Sequence, residues 1–200
     1  MGVADETRGP WRVHDVRRAF DNPWIAIDDH AVIQPHGVPG QYGVVHFKNR
    51  AIGVLPVTDD GHVPMVGQHR FPGDYYSWEL PEGGGPLDED PLAAAKRELA
   101  EETGYRATTW LEVLACDLSN SVTDERAVGY LAWGLRAGDA APEDTEVLAQ
   151  RTVRFGALLE DCLSGAVRDS LTILLALAVK AKLDAGALPG DVSAALRLGL

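Results

Sequence analysis

Apolar and polar positions follow a short period through residues 24 to 70, where WIAIDDHAVIQPHG, QYGVVHFKN and AIGVLPVTDDGHVPMVGQHR each read as strand. In the last of these, Asp59, Asp60 and Gly61 stand between two apolar runs and predict a hairpin turn. About four strands therefore precede any helix. Residues 71 to 90, FPGDYYSWELPEGGGPLDED, are dense in Gly, Pro and Asp and predict a long loop. Loops of that length in compact domains tend to carry function.

The pattern changes at Asp90, a plausible N-cap followed by Pro91 at the first helical position, where a missing N–H costs nothing. The helix that begins there closes at Gly104. Strands return in WLEVLACDLS and AVGYLAWGL, separated by the polar stretch NSVTDER, and an acidic loop, AGDAAPEDTE, leads into QRTVRF. The remainder reads as helical, in ALLEDCLSG and in an apolar segment near residues 169 to 185 that starts after Arg168. The last dozen residues are expected to be loosely held.

Composition narrows what this chain can do. Two hundred residues, 46% hydrophobic and 24% charged, bury a substantial core in one domain with a small appendage. A net charge of −12 argues against gripping nucleic acid or an anionic membrane, which requires clustered Lys and Arg. The start, MGVADETRGPW, lacks a basic and apolar leader, and lysine interrupts LTILLALAVKAKL well short of the ~18 residues a membrane span needs. Cys116 and Cys162 show no metal-ligand spacing, so the default expectation is a reduced cytoplasm. The six histidines are scattered and are assigned no metal role.

One stretch runs against local physics. In RELAEETG, Glu98, Glu101 and Glu102 share a helix face near the C-terminal end, within an arc of roughly 100°. The negative end of the helix dipole and the mutual repulsion of the carboxylates both oppose this placement. A divalent cation reverses the sign of each of these effects. Mg²⁺ in particular takes a few carboxylates, retains waters and accepts substrate phosphates. Arg97 is placed to orient a carboxylate, and the glycines before the helix allow close backbone approach to a ligand.

Read together, Gly83, Glu89, Arg97, Glu98, Leu99, Glu101, Glu102 and Gly104 resemble the Nudix box at every fixed position, with Tyr105 where an aliphatic residue is usual. At average residue frequencies a chance match in a chain of this length is on the order of one in a million. GQHR before the Gly-rich stretch and WELPEGG into it are similar to the subgroup that cleaves ADP-ribose and other nucleoside diphosphate sugars. The resemblance implies an α+β Nudix fold, a mixed β-sheet sandwiched between helices, over residues 51–200. It also implies an N-terminal antiparallel β-segment, residues 1–50, that builds a homodimer whose active site draws on both subunits. The expected partner is a small nucleoside diphosphate sugar, with no nucleic acid and no membrane.

The same resemblance assigns the site. Glu98, Glu101 and Glu102 become ligands of Mg²⁺, with Mn²⁺ the alternative ion, and the backbone carbonyl of Glu82 joins them. Arg97 and Glu89 orient that set, so that Glu102 and Arg97 belong to the catalytic machinery. Arg70 contacts the diphosphate and Glu79 assists in binding. A general base is expected from the loop APEDTE, with Glu143 first and Glu146 second, while Asp124 and Glu125 in SVTDE form the other candidate pair. Tyr75, Tyr76, Trp78, Trp24 and Phe47 are candidates to stack a base. ADP-ribose-preferring members carry a proline about 16 residues beyond the box. Asn120 stands there in this chain, which leaves open other linked nucleoside diphosphates and, from a different class, a non-catalytic nucleotide-sugar sensor.

Overall fold

A computed structural model describes residues 6–138 and 148–200. The chain divides into two compact units, one formed by Met1–Arg50 with Asp117–Arg126, the other by Ala51–Cys116 with Ala127–Leu200. The expectation from the sequence is a division into residues 1–50 and 51–200. The short stretch around residues 117–126, expected in the second segment, groups with the first.

The first unit is an antiparallel sheet of β1 (Glu6–Arg8), β2 (Trp11–Asp21), β3 (Ile25–Ile33) and β4 (Pro39–Phe47), in that order. Strands β1 and β2 lie ahead of the region that read as strand. β2 is mostly exposed, so its side chains carry little apolar alternation to reveal it. Residues 119–124 are stitched onto β4: Val45 N–H donates to the Val122 carbonyl, Asp124 N–H to the Val45 carbonyl and the Tyr42 hydroxyl to the Ser121 carbonyl. This occupies backbone groups that an edge strand would otherwise leave open to a passing chain.

The second unit contains β5 (Asn49–Pro56), β6 (His62–Arg70), β7 (Tyr75–Glu79), β8 (Glu82–Pro86), α1 (Pro91–Thr103), β9 (Arg106–Asp117), β10 (Arg126–Arg136), β11 (Ala149–Arg154), α2 (Phe155–Ser164), α3 (Ser170–Asp184) and α4 (Gly190–Leu198). One sheet has the order β8-β5-β10-β9, with β5 and β10 parallel, and a second antiparallel sheet has the order β11-β6-β7. Strands β5 and β10 are covered on both faces, which explains their nearly continuous apolar sequences. Ile52, Val54, Tyr130 and Ala132 face Ala94, Ala95 and Leu99 of α1. Leu55, Leu131 and Trp133 belong to the larger core with Leu158 of α2, Leu175 and Val179 of α3 and Leu196 of α4. The expected α+β sandwich is therefore present, with helices on either side of the sheet.

Two expectations are corrected. Residues 71–90 are not one loop, because β7 and β8 lie within them. β7 pairs with β6 through alternating positions such as Gly67 opposite Trp78 and Gln68 opposite Ser77. The Gly-rich β8 is held in the sheet by its backbone, a pairing that a side-chain pattern does not register. The C-terminal dozen residues are not loose, since α4 buries Val192, Ala195 and Leu196.

Candidate active site

Helix α1 places the carboxylates. The Asp90 side chain accepts from Ala93 N–H at 2.9 Å, Pro91 opens the first turn, and Gly104 closes the helix at φ 75°, a left-handed conformation suited to glycine. With Ala94, Ala95 and Leu99 anchored in the core, the helical period turns Glu98, Glu101 and Glu102 toward β8. Glu98 and Glu102 are buried, Glu102 to 1% exposure. Gly83 is required here: a Cβ at this position would collide with the carboxyl group of Glu98.

Arg97 gathers the acidic set. Its Nη1 donates to Glu98 Oε1 at 2.8 Å and to Glu101 Oε2 at 3.2 Å, and its Nη2 donates to Glu89 Oε2 at 3.2 Å and to the Gly84 carbonyl at 3.1 Å. Burial works against the guanidinium charge, but the surrounding Glu89, Glu98 and Glu101 outweigh it and raise its pKa. Glu102 meets the start of β8, where its Oε2 accepts from Glu82 N–H at 2.9 Å. The Gln150 side chain donates to the Glu102 carbonyl at 2.6 Å and ties the start of β11 to the same helix.

A second charged group lies at the turn between β7 and β8. Arg70 Nε donates to Glu79 Oε1 and Oε2 at 2.9 and 3.0 Å, and its Nη2 binds Glu79 and also Glu82 Oε1 at 2.8 Å. Nη1 takes no part in these bonds, and the Arg70 side chain keeps 36% exposure. Asp169, which caps α3, brings a carboxylate oxygen within 4.8 Å of those of Glu79 and Glu82. Burial drives the Glu82 pKa well above the ordinary carboxylate value, and the charges of Asp169 and Glu79 add to it while Arg70 opposes it. Arg70 is itself held charged: burial opposes this, and the bonds and charges of Glu79, Glu82 and Asp169 outweigh it.

Glu98, Glu101, Glu102, Arg97, Glu89, Gly83, Arg70, Glu79 and Glu82 thus fall within one unit and around one turn. The Glu82 side chain meets Arg70, whereas the expectation for this residue concerned its backbone carbonyl. Glu143 and Glu146 lie outside the described residues. Asp124 is engaged within the first unit, pairing with His46 Nδ1 at 2.6 Å and accepting from Phe47 N–H at 3.0 Å. Glu125 is half-buried, and that burial raises its pKa. Of the aromatic candidates, Tyr76 and Trp78 meet edge to face at 5.7 Å, Arg151 lies over Trp78 at 4.5 Å and Arg168 over Tyr75 at 4.3 Å. Trp24 is largely exposed.

Asp169, Thr172 and Gln150 were not singled out as site residues. The first two were legible only as a helix start, Asp-Ser-Leu-Thr ahead of an apolar run, because a capping pattern does not say what else the cap faces. Gln150 carries no sequence signal.

A carboxylate face on a helix, packed under a glycine strand and gathered by one arginine, defines a class, and residues 47–170 match the NUDIX domain family. The chain belongs to this family, whose hydrolases generally use a divalent metal. It is similar to the ADP-ribose pyrophosphatase of Mycobacterium tuberculosis, with 35% identity over 151 residues, covering 72% of this chain and 70% of the relative. It is equally similar, 35% over 147 residues, to the CMP-5'-(N-acetyl-N-hydroxy-3-aminopropyl)phosphonate hydrolase of Streptomyces rubellomurinus, with 71% and 70% covered. The fold matches the crystal structure of an ADP compounds hydrolase at a TM-score of 0.79 and 17% identity, covering 92% of this chain and all of the other.

Glu98, Glu101 and Glu102 offer only carboxylate oxygens from one helix, the donor type that a hard divalent cation takes. Among the described residues, the group of three carboxylates whose oxygens lie within 4.8 Å of one another is Glu79, Glu82 and Asp169.

Proposed function

We propose that this protein is a Mg²⁺-dependent hydrolase of the diphosphate bond in nucleoside diphosphate sugars, with ADP-ribose-like compounds foremost, releasing a nucleoside monophosphate and a sugar phosphate. The observation that carries this reading is the bridging position of Glu82. Its N–H binds Glu102 of the carboxylate helix, and its carboxylate binds Arg70. A site for a cation and a site for an anion are thereby fixed to one residue, as cleavage of a metal-bound diphosphate demands.

Glu98, Glu101 and Glu102 would hold the cation, which when bound would neutralise charge on the diphosphate and lower the pKa of a water. Mg²⁺ suits an all-oxygen donor set, and Mn²⁺ is the alternative. Arg97, with Glu89 behind it, aims Glu98 and Glu101. Arg70 is clamped along its Nε and Nη2 edge, which leaves Nη1 to donate to the diphosphate and hold it for in-line attack. Glu143 takes the proton from the attacking water, with Glu146 as its substitute. The bonds of Asp124 to His46 and Phe47 favour a structural role for that residue. The first unit serves as the dimerisation segment of a cytoplasmic homodimer that binds neither nucleic acid nor membrane. Among the described residues no helix is long and apolar enough to cross a membrane.

A second reading, cleavage of other linked nucleoside diphosphates, is favoured by the equal identity to a hydrolase named for a CMP-linked phosphonate and by Asn120 in place of the proline. One assay separates the two. Purified protein with Mg²⁺ is offered ADP-ribose, ADP-glucose, GDP-mannose and CDP-linked compounds, and monophosphate release is measured. Fastest release from ADP-ribose supports the first reading, fastest release from CDP compounds the second, and none from any sinks both.

A further inference from the structure

We propose that Asp169 is a positioning residue for substrate binding: from the start of α3 its carboxylate completes, with Glu79 and Glu82, the acidic pocket that fixes the orientation of Arg70. The inference rests on the assignment of Arg70 to the diphosphate proposed above. Glu79, at 1% exposure, and Glu82 bind the Nε and Nη2 edge of the guanidinium, and Asp169 lies within 4.8 Å of both carboxylates.

The three carboxylates have the composition of a cation site, but the cation in it is Arg70. One guanidinium faces three acids, so its potential well is deep on the pocket side and its exposed edge points away from it. A flexible arginine side chain carries rotamer entropy that a ligand must otherwise overcome on binding. Fixing the guanidinium in advance removes that cost from the binding step.

The same turn of α3 holds the backbone of this pocket. Leu80 N–H donates to Thr172 Oγ1 at 2.9 Å, and Thr172 N–H donates to Asp169 Oδ2 at 2.6 Å. Thr172 is fully buried. The Glu79-Leu80-Pro81-Glu82 turn is therefore tied to α3 by hydrogen bonds, while the Asp169 charge favours the charge on Arg70. Asp169 serves both, as helix cap and as pocket wall.

The two roles separate experimentally, because asparagine caps a helix about as well as aspartate and lacks its charge. Asp169→Asn is expected to raise KM for ADP-ribose by about tenfold while kcat stays within about twofold, the pattern of lost binding rather than lost chemistry. Combined with Arg70→Ala, it is expected to add nothing to the KM increase of Arg70→Ala alone, since the two act through one group. The Arg70 Nε–H signal in ¹⁵N NMR of the full chain is expected to move in Asp169→Asn. Asp169→Ser, which also caps, is the second variant should the first fold poorly. An unchanged KM, full additivity with Arg70→Ala, or an Arg70 signal identical to wild type overturns the proposal. Should the wild-type protein cleave no nucleoside diphosphate sugar, the functional reading fails, and the NMR arm still decides whether Asp169 orients Arg70.

Discussion

At the scale of single residues, charge and space decide what the site can do. Glu102 is buried and receives the Glu82 N–H, so Glu102→Gln preserves size and an acceptor while removing a unit of charge. It is expected to lower the Mg²⁺-supported rate by 10²-fold or more, on the order of the loss seen when a preorganised electrostatic group is removed. Gly83→Ala is expected to lower both activity and thermal stability, because its Cβ claims the position of the Glu98 carboxyl group. Glu82 titrates above its ordinary value owing chiefly to burial, so folding favours its protonated form. That contribution is complete below a pH of about 4.5 and is lost as pH rises through the raised folded-state value. Glu82→Gln is therefore expected to gain thermal stability relative to wild type progressively from acid to alkaline pH, in paired melting curves. A constant difference between the curves would show that Glu82 is not the group responsible.

Secondary-structure elements show which parts of this reading local sequence can carry. The limits of α1 were legible because Asp90, Pro91 and Gly104 act within one turn of the helix ends. Asp90→Ala is expected to cost about 1 kcal/mol, read as a shift of the denaturation midpoint. Strand β8 was illegible for the opposite reason: glycines give no apolar period, and the strand exists because the β5 edge receives its backbone. The bonds of Val54 N–H to the Pro81 carbonyl and of Leu80 N–H to Thr172 settle the turn before it, and both partners are distant in sequence. Helix α4 was masked by its small residues and its position at the chain end, yet Leu196 is fully buried in the main core. Leu196→Ala is expected to destabilise the protein by about 2–5 kcal/mol, the range for emptying a buried leucine site, as measured by urea denaturation.

For the molecule as a whole, the two units pose different questions. The second holds the described carboxylates of α1, Arg97, Arg70, Glu79, Glu82 and the larger core, while the first is a sheet whose last strand is stitched to residues 119–124. The role proposed for the first unit predicts a particle of two chains in light scattering, and a monomer at all concentrations would remove that role. The reactivity of the cysteines probes the integrity of the core. Burial, with the charges of Asp161 and Asp169, pushes the Cys162 thiol up to about 11. Iodoacetamide at neutral pH is expected to modify Cys162 only after denaturation, and rapid native modification would mean that α2 opens.

The sequence by itself determined the class of protein, the strand-then-helix order and the carboxylate helix, because these depend on residue type at fixed short spacings. Repulsion among Glu98, Glu101 and Glu102 on one face can be calculated from the helical period alone. Only the tertiary structure decided what faces that helix and what holds Arg70. The pocket of Glu79, Glu82 and Asp169 joins residues from two strands and a helix cap nearly ninety positions away, and no local pattern encodes such a meeting. It arises because Gly53 and Gly129 let Leu171 and Leu175 pack α3 close against the sheet, which brings the capped end of that helix to the turn between β7 and β8.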